Sequence, residues 1–371
     1  MKKYYTTFVF FALLACNVNS TKAQTANLLV GTYTQRGSKG IYVFNFDTTT
    51  GKAIPLSHTD SILNPEFLTI TNDHQFVYAV NETKEGMVSA FSFNNNQLKL
   101  MQQNPTHAAD PCFISLSPDQ HNLMVANYNG GSITQFHRFA DGRISNAQQN
   151  IQHQGKSIHP ERQEKAHVHG AFFSPNGDFL LTPDLGTDQV YIYPYHSNNS
   201  LPLDVQKASI IQSKPGSGPR HLVFSKNGST LYIAEELSGT VSVYHFNKGK
   251  THFLQTVATH PANYQGEPGT ADIHLSPDGR YLYISNRGEE NNIACFPVMQ
   301  NGLLDSNRMQ LFSVQGKRPR NFTMSADGKW LLVANQDTDN IEIFKRNKLT
   351  GALTNTGNTI AVSMPVCLVL F

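Results

Sequence analysis

Four side chains of complementary chemistry stand in the second half of the chain, His169, Arg220, Glu236 and Arg287, and Arg320 follows at a similar interval. Guanidinium groups hold carboxylates and phosphates in bidentate fashion, whereas a neutral imidazole or a carboxylate takes a proton from water. One His, one Glu and two or three Arg brought to one place would make a pocket suited to a carboxylate or phosphate. Taken alone, Arg220 and Glu236 read first as a cross-strand ion pair, worth about 0.2–1 kcal/mol. What carries these residues decides between the two readings.

Each lies in one copy of a repeated segment. Pro319–Phe344 reads PRNFTMSADGKWLLVANQDTDNIEIF: a Pro opens a strand, Ser-x-Asp-Gly makes a turn, and an aliphatic strand ends in Ala-Asn. A polar loop and a third strand ending in Phe follow. The segment recurs at Pro111–Phe136 and Pro219–Tyr244, with looser copies from Pro65, Val168 and Thr270. The second strands end at Thr32, Asn81, Asn127, Asp184, Glu235, Asn286 and Asn335, giving intervals of 49, 46, 57, 51, 51 and 49 residues. Seven units of this length, β-branched and aromatic in their strands, predict an all-β, seven-bladed β-propeller. The first unit lacks a Pro-led strand, and the C-terminal Pro365-Val366-Cys367-Leu368-Val369-Leu370-Phe371 aligns with the missing piece. The C-terminus is therefore expected to complete blade 1 and close the ring, leaving no free sheet edge.

The repeat also places the chemistry. In every copy the residue after the Pro position and the residue after the Asn position are 16 apart, and their midpoints in the last four blades are Gly177, Gly228, Gly279 and Gly328. A glycine at a hairpin tip supplies positive φ. The two flanking residues should then lie side by side at the open end of the inner hairpin, on one rim. Round the ring these pairs are Val366/Tyr33, Glu66/Glu82, Cys112/Tyr128, His169/Leu185, Arg220/Glu236, Ala271/Arg287 and Arg320/Gln336. Blades 4 to 7 thus present His169, Arg220, Glu236, Arg287 and Arg320 at one mouth of the channel. Arg287 faces Ala271 and has no mate there, which favours a pocket over an isolated ion pair. The long interval of 57 falls just before His169, so Ala140–Ala166, including HPERQEK, should loop over the same mouth.

Other candidates weigh less. His167 and His169 share a strand face at metal-like spacing, yet no third ligand stands at convincing distance and HExxH is absent. No metal or other cofactor is expected. His221 and His274 follow inside strands and read as satisfied core residues. Asp272, one residue deeper than the rim, reads either as a channel-lining carboxylate or as a turn cap. His167, Asp272, Arg320 and Gln336 are taken as substrate-binding candidates around the four central residues. Asp184 and Asp188 in PDLGTD are expected to cap the following loop, and Trp330 to pack in the core. No GxSxG, Walker or GxGxxG segment is present, so a serine-hydrolase or nucleotide site has no support.

The chain has 371 residues, 39% hydrophobic and 15% charged, with a net charge of +2. One propeller can use nearly all of it, and the sparse, mixed charge argues against a nucleic-acid partner. Lys2 and Lys3 precede the apolar stretch Phe8–Ala15, too short to span a bilayer as a helix. Residues 1–23 are read as an export signal with cleavage near Ala23, leaving a propeller over 26–371. The alternative is a lipoprotein box, Leu13-Leu14-Ala15-Cys16, with lipid on Cys16. Leu14 is unusual in such a box, which favours the first reading. An exported, periplasmic or secreted protein follows from either, lipid-anchored in the second case, with no transmembrane segment. The remaining cysteines, Cys112, Cys295 and Cys367, make no disulfide framework and read as small buried hydrophobes.

The stretches HVHGAFFSPNGDFLLTPDLGTDQV, SGPRHLVFSKNGSTLYIAEEL, TADIHLSPDGRYLYISNRG and PRNFTMSADGKWLLVANQDTDNI, with the terminal MPVCLVLF, resemble the lactonase family of seven-bladed propellers. That family includes propeller-type 6-phosphogluconolactonases and carboxy-cis,cis-muconate lactonizing enzymes. The resemblance runs from about Leu28 to Phe371, and Gly218-Pro219-Arg220-His221 with Glu236-Leu237 and Asn286-Arg287-Gly288 is its most specific part. It implies a catalytic set of one His, two Arg and one Glu, falling on His169, Arg220, Glu236 and Arg287. Where that family has Asn-Glu-Leu, this chain has Glu235-Glu236-Leu237, and the loop after Arg287 is acidic (Gly288-Glu289-Glu290-Asn291). The expected activity is hydrolysis of a small-molecule lactone or anionic sugar lactone, with His169 or Glu236 activating water. The alternatives are lactonization of an unsaturated dicarboxylate, or a non-catalytic propeller that binds a glycan or protein. Arg220→Ala and Glu236→Ala variants are expected to lose hydrolysis with melting temperature unchanged.

Overall fold

A computed structural model of the protein describes residues 1–3 and 24–371. The signal segment expected at Phe8–Ala15, with Ala23 and Cys16, lies outside the described residues. Among the described residues twenty-eight strands form seven four-stranded antiparallel sheets. Each second strand ends at the residue the repeat marks: Thr32, Asn81, Asn127, Asp184, Glu235, Asn286 and Asn335. Several of them, such as Thr230–Glu235 and Trp330–Asn335, are buried throughout, because a blade is covered on both faces by its neighbours. The apolar core is accordingly a set of layers between blades. One layer packs Leu28, Val30 and Phe46 of blade 1 against Trp330, Leu332 and Ile341 of blade 7, and Trp330 Nε1 donates to Thr48 O at 2.7 Å.

The ring closes as expected. Pro365–Leu370 pairs antiparallel with Thr25–Thr32, from Leu28↔Leu370 to Thr32↔Pro365, and is the fourth strand of blade 1. The inner hairpins turn at the expected tips: Gly177, Gly228, Gly279 and Gly328 have φ of 67–78°, and His74 and Gln120 hold the same conformation in blades 2 and 3.

The pairing at the open end differs by one residue from the expected register. Pro219 pairs with Glu235, not Arg220 with Glu236, and His221 pairs with Ala234, so Arg220 is the extra residue of a β-bulge. The same irregularity sits at Val366, Glu66, Cys112 and Arg320, and blade 6 skips Ala271 and Asp272. A bulge turns a side chain out of the alternation of its strand. Here it frees one residue per blade to be chosen for the channel and not for the interblade core. Blade 4 departs further. Its inner strand is reduced to Phe172–Phe173, with an isolated bridge Val168↔Asp184 beside His169.

Candidate active site at one mouth of the channel

Below the mouth the channel is plugged. Phe67, Phe113 and Phe172 crowd together with ring centroids 4.3 and 4.5 Å apart, and His221 meets each ring at its edge. Above this floor is a cavity of about 540 Å³ whose lining includes His169, Glu236, Arg287, Arg162, Glu82 and Arg320. Blades 2 to 7 and the inserted loop all contribute.

Glu236 is the centre of charge. Arg287 Nη2 lies 2.8 Å and Arg220 Nε 3.0 Å from its Oε2, while Arg162 Nη2 donates to Oε1 at 2.7 Å. Burial alone would raise this carboxyl. The cations of Arg287, Arg220 and Arg162 outweigh it, and Glu236 titrates well below the usual carboxylate range. Arg287, which also donates from Nε to Gly269 O at 3.2 Å, is drawn down to about 10 by burial, with Glu236 opposing. Arg220 is 1% exposed and lies beneath the cavity lining. It donates from Nη1 to Ala271 O at 2.8 Å and meets His221 Nε2 at 3.3 Å. Its role is to hold Glu236 from below.

His169 is 5% exposed and its backbone N–H is tied to Pro183 O. The ring sits 5.3 Å from that of Tyr128 and 5.5 Å from that of His221, with Nδ1 3.8 Å from Cys112 Sγ. Burial, then Arg220, His221 and Arg320, push its imidazolium well below the ordinary histidine range, so it is neutral at pH 7. Burial likewise raises the Cys112 thiol well above its ordinary value, which leaves it protonated.

The outer candidates separate. Arg320 lines the cavity, but its guanidinium is turned onto Glu66 and lies 3.8 Å from Glu82. His167, Asp272 and Gln336 are buried outside the lining, a correction to their reading as substrate contacts. His167 stacks on Tyr128 at 4.5 Å, and its Nε2 meets Glu164 at 3.1 Å, so it anchors the inserted loop. Asp272 is neither lining nor turn cap. Its Oδ1 takes His221 Nδ1 at 2.9 Å, and its Oδ2 takes His274 Nε2 at 2.9 Å and Asn321 Nδ2 at 2.6 Å, joining the inner strands of blades 5, 6 and 7. Gln336 meets the chain through its backbone, accepting from Arg36 and donating to Arg318 O, while Asp337 takes the rim. Asp184 caps the following loop as expected, its Oδ1 accepting from His167, Gly186 and Thr187 N–H groups, whereas Asp188 accepts from Gly216 and Gly218 and so holds the segment that leads into blade 5. Among the described residues no three His, Cys, Asp or Glu side chains converge as metal ligands.

Arg162 was not singled out by the repeat, although its loop was placed over the mouth. An insertion has no counterpart in the other blades, so periodicity ranks none of its residues. Tyr33, Glu66, Glu82 and Tyr128 did occupy rim positions, and the emphasis on blades 4 to 7 passed over them. The expectation that Arg220→Ala and Glu236→Ala leave stability unchanged is also corrected. Both side chains are buried, and removing one partner of a buried ion pair costs about 3–5 kcal/mol.

Residues 27–370 match the family described as lactonase, 7-bladed beta-propeller. This chain belongs to the lactonase family of seven-bladed β-propellers. It is 35% identical to a 6-phosphogluconolactonase of Formosa agariphila, over 93% of this chain and 99% of that one. A solved structure described as a putative 6-phosphogluconolactonase of Bacteroides fragilis is 40% identical, with a TM-score of 0.88 over 95% of this chain and 99% of that one. The structure of a periplasmic gluconolactonase of Pseudomonas aeruginosa is 37% identical, with a TM-score of 0.89 over 94% and 99%. Among the described residues no helix of this lactonase-family chain is long and apolar enough to cross a membrane.

Proposed function

We propose that this protein is an exported lactone hydrolase that opens an unphosphorylated sugar lactone to its aldonic acid, at the mouth formed by His169, Glu236, Arg287 and Arg162. Membership of the lactonase family and relatives named as phosphogluconolactonase and gluconolactonase support the reaction class. The observation that carries the site is the convergence of three guanidinium groups on Glu236 in the same cavity as a neutral His169.

The division of labour follows from the electrostatics. Both oxygens of Glu236 are occupied by arginines, which lowers its basicity, so it serves to fix the guanidinium array. His169 is the group free to take a proton from water. Its weak basicity in the resting site rises as the attack develops, because the oxyanion formed beside it offsets the field of the arginines. Arg287 and Arg162, which reach the cavity, stabilise that oxyanion. Water adds to the carbonyl carbon and its proton passes to His169; the ring C–O bond then breaks, and the His169 imidazolium returns that proton to the departing alkoxide, giving the hydroxy acid and the neutral imidazole.

The unphosphorylated substrate is favoured by the mixed charge of the lining, where the carboxylates of Glu267 and Asp337 stand beside the cations of Lys317 and Arg318. Export agrees with the basic, apolar N-terminal segment and with a relative described as periplasmic. The test is acid release from glucono-δ-lactone and from its 6-phosphate, corrected for spontaneous opening. The unphosphorylated lactone should show the higher kcat/KM. His169→Ala should lower kcat by about 10²–10⁴. Unchanged turnover in that variant would remove His169 from the chemistry, and a clear preference for the phosphate would overturn the substrate class.

A further inference from the structure

The cavity has a second polar wall that the hydrolytic roles leave unused. Tyr33, Glu66, Glu82 and Arg320 meet there from blades 1, 2 and 7, across the seam where the C-terminal strand closes the ring. Arg320 is fixed on three sides. Its Nε and Nη2 both donate to Glu66 Oε1, and its guanidinium carbon lies 5.4 Å above the centre of the Tyr33 ring. The Tyr33 hydroxyl in turn donates to Glu82 Oε2 at 2.5 Å, and that same oxygen lies 3.8 Å from Arg320 Nη2. Among the described residues Nη1 of Arg320, Oε1 of Glu82 and the buried Oε2 of Glu66 have no hydrogen-bond partner, and of these residues Arg320 and Glu82 line the cavity.

We propose that Glu82 and Arg320 form a polyol clamp, accepting from one hydroxyl of the substrate and donating to its neighbour, and so select lactones that carry adjacent hydroxyl groups. This rests on the lactone-hydrolase reading for the identity of the reacting group. A sugar hydroxyl is at once donor and acceptor, so a vicinal pair satisfies a carboxylate and a guanidinium held side by side. Because both groups are already immobilised by Tyr33 and Glu66, little side-chain entropy is lost on binding. Glu66 also tunes the charge of the wall. Its carboxyl is pushed up to about 8 by burial, with Arg320 opposing and Glu82 adding. With one guanidinium set between two carboxyl groups the wall offers no surplus of positive charge, which suits an uncharged polyol better than a second anion. The clamp stands across the cavity from the Glu236 cluster, so one end of the substrate is recognised where the ring closes while the carbonyl is attacked at blades 4 to 6.

The test compares glucono-δ-lactone with δ-valerolactone, which has the same ring and no hydroxyls. Glu82→Met should lower the ratio of their kcat/KM values about 10- to 100-fold, the loss expected for one or two hydrogen bonds to a charged group. Tyr33→Phe keeps the packing and removes only the hydroxyl that positions Glu82, so it carries the test if Glu82→Met fails to fold. It should lower the ratio by about 3- to 10-fold, chiefly through KM. A ratio unchanged within about twofold in the folded variants overturns the clamp. Calorimetric binding of gluconate and of 5-hydroxyvalerate separates this from failure of the lactonase reading. If the wild type opens neither lactone but binds gluconate, and Glu82→Met weakens that binding tenfold or more, the clamp stands and the reaction class falls. If the same variant binds gluconate as the wild type does, the clamp falls.

Discussion

Acidification should destabilise this protein through His221, a residue that touches no substrate. His221 is 3% exposed, donates from Nδ1 to Asp272 at 2.9 Å, and offers Nε2 to Arg220 at 3.3 Å. Burial and then Arg220 lower its imidazolium, Asp272 opposes them, and the group titrates at about 4 against 6.5 in the unfolded chain. A depressed histidine contributes stability that is complete above the unfolded value and is lost as pH falls from 6.5 towards 4. The unfolded chain takes up the proton first. Between pH 8 and pH 5 this amounts to about 2 kcal/mol, or about 3 °C in Tm for a propeller of this length. The assay is urea unfolding at both pH values for the wild type and His221→Gln, which keeps a polar group and cannot titrate. The readout is the difference between their pH effects. His169 shifts in the same direction and is present in both proteins, so it cancels. Glu66, raised to about 8, acts oppositely, losing its contribution as pH rises, and cancels too. The wild type should lose about 2 kcal/mol more than the variant. Parallel losses would refute the neutral, Arg220-bound state assigned to His221.

Two further outcomes bear on the loop and the seam. Arg162 is 40% exposed, so Arg162→Ala should change stability by less than about 1 kcal/mol. The variant should lower kcat/KM for the preferred lactone by about 10- to 100-fold, and unaltered kinetics would exclude the loop arginine from the oxyanion site. Deleting residues 364–371 removes the strand that holds Val366, Cys367 and Leu368 at 5% exposure or less. The lost burial, roughly 1.5–3 kcal/mol for each large apolar side chain, together with an opened ring should abolish cooperative unfolding by circular dichroism. A truncated protein melting at the parent temperature would contradict closure by that strand.

The architecture was legible because a propeller is periodic. Any copy of the Pro-to-Asn hairpin calibrates the others, and seven copies make the count, the closing strand and the tips at Gly177 and Gly228 readable without coordinates. The central site residues were legible for the same reason: a rim position has no packing duty in common with its equivalents, so His169, Arg220 and Arg287 stand out against Ala271 and Val366. The family's own motif converged on the same four positions.

Three matters waited for the tertiary structure. Register at the rim depends on a bulge, a single extra residue that the alternating pattern does not mark, so Pro219 and not Arg220 faces Glu235. Partners across blades are set by geometry between segments far apart in the chain. Arg162 reaches Glu236 over 74 positions and Arg320 reaches Glu66 over 254, and no local spacing encodes such contacts. Burial, finally, converts residue type into role. The same carboxylate chemistry makes Glu236 a strongly acidic anchor under three arginines, Glu66 a buried prop for Arg320 with its carboxyl raised by burial, and Asp272 a clamp between blades. The sequence determined that His169, Glu236, Arg287 and Arg320 come from corresponding positions of successive blades. What each does at the mouth of the channel depends on desolvation and neighbouring charge, which exist only once the ring has closed.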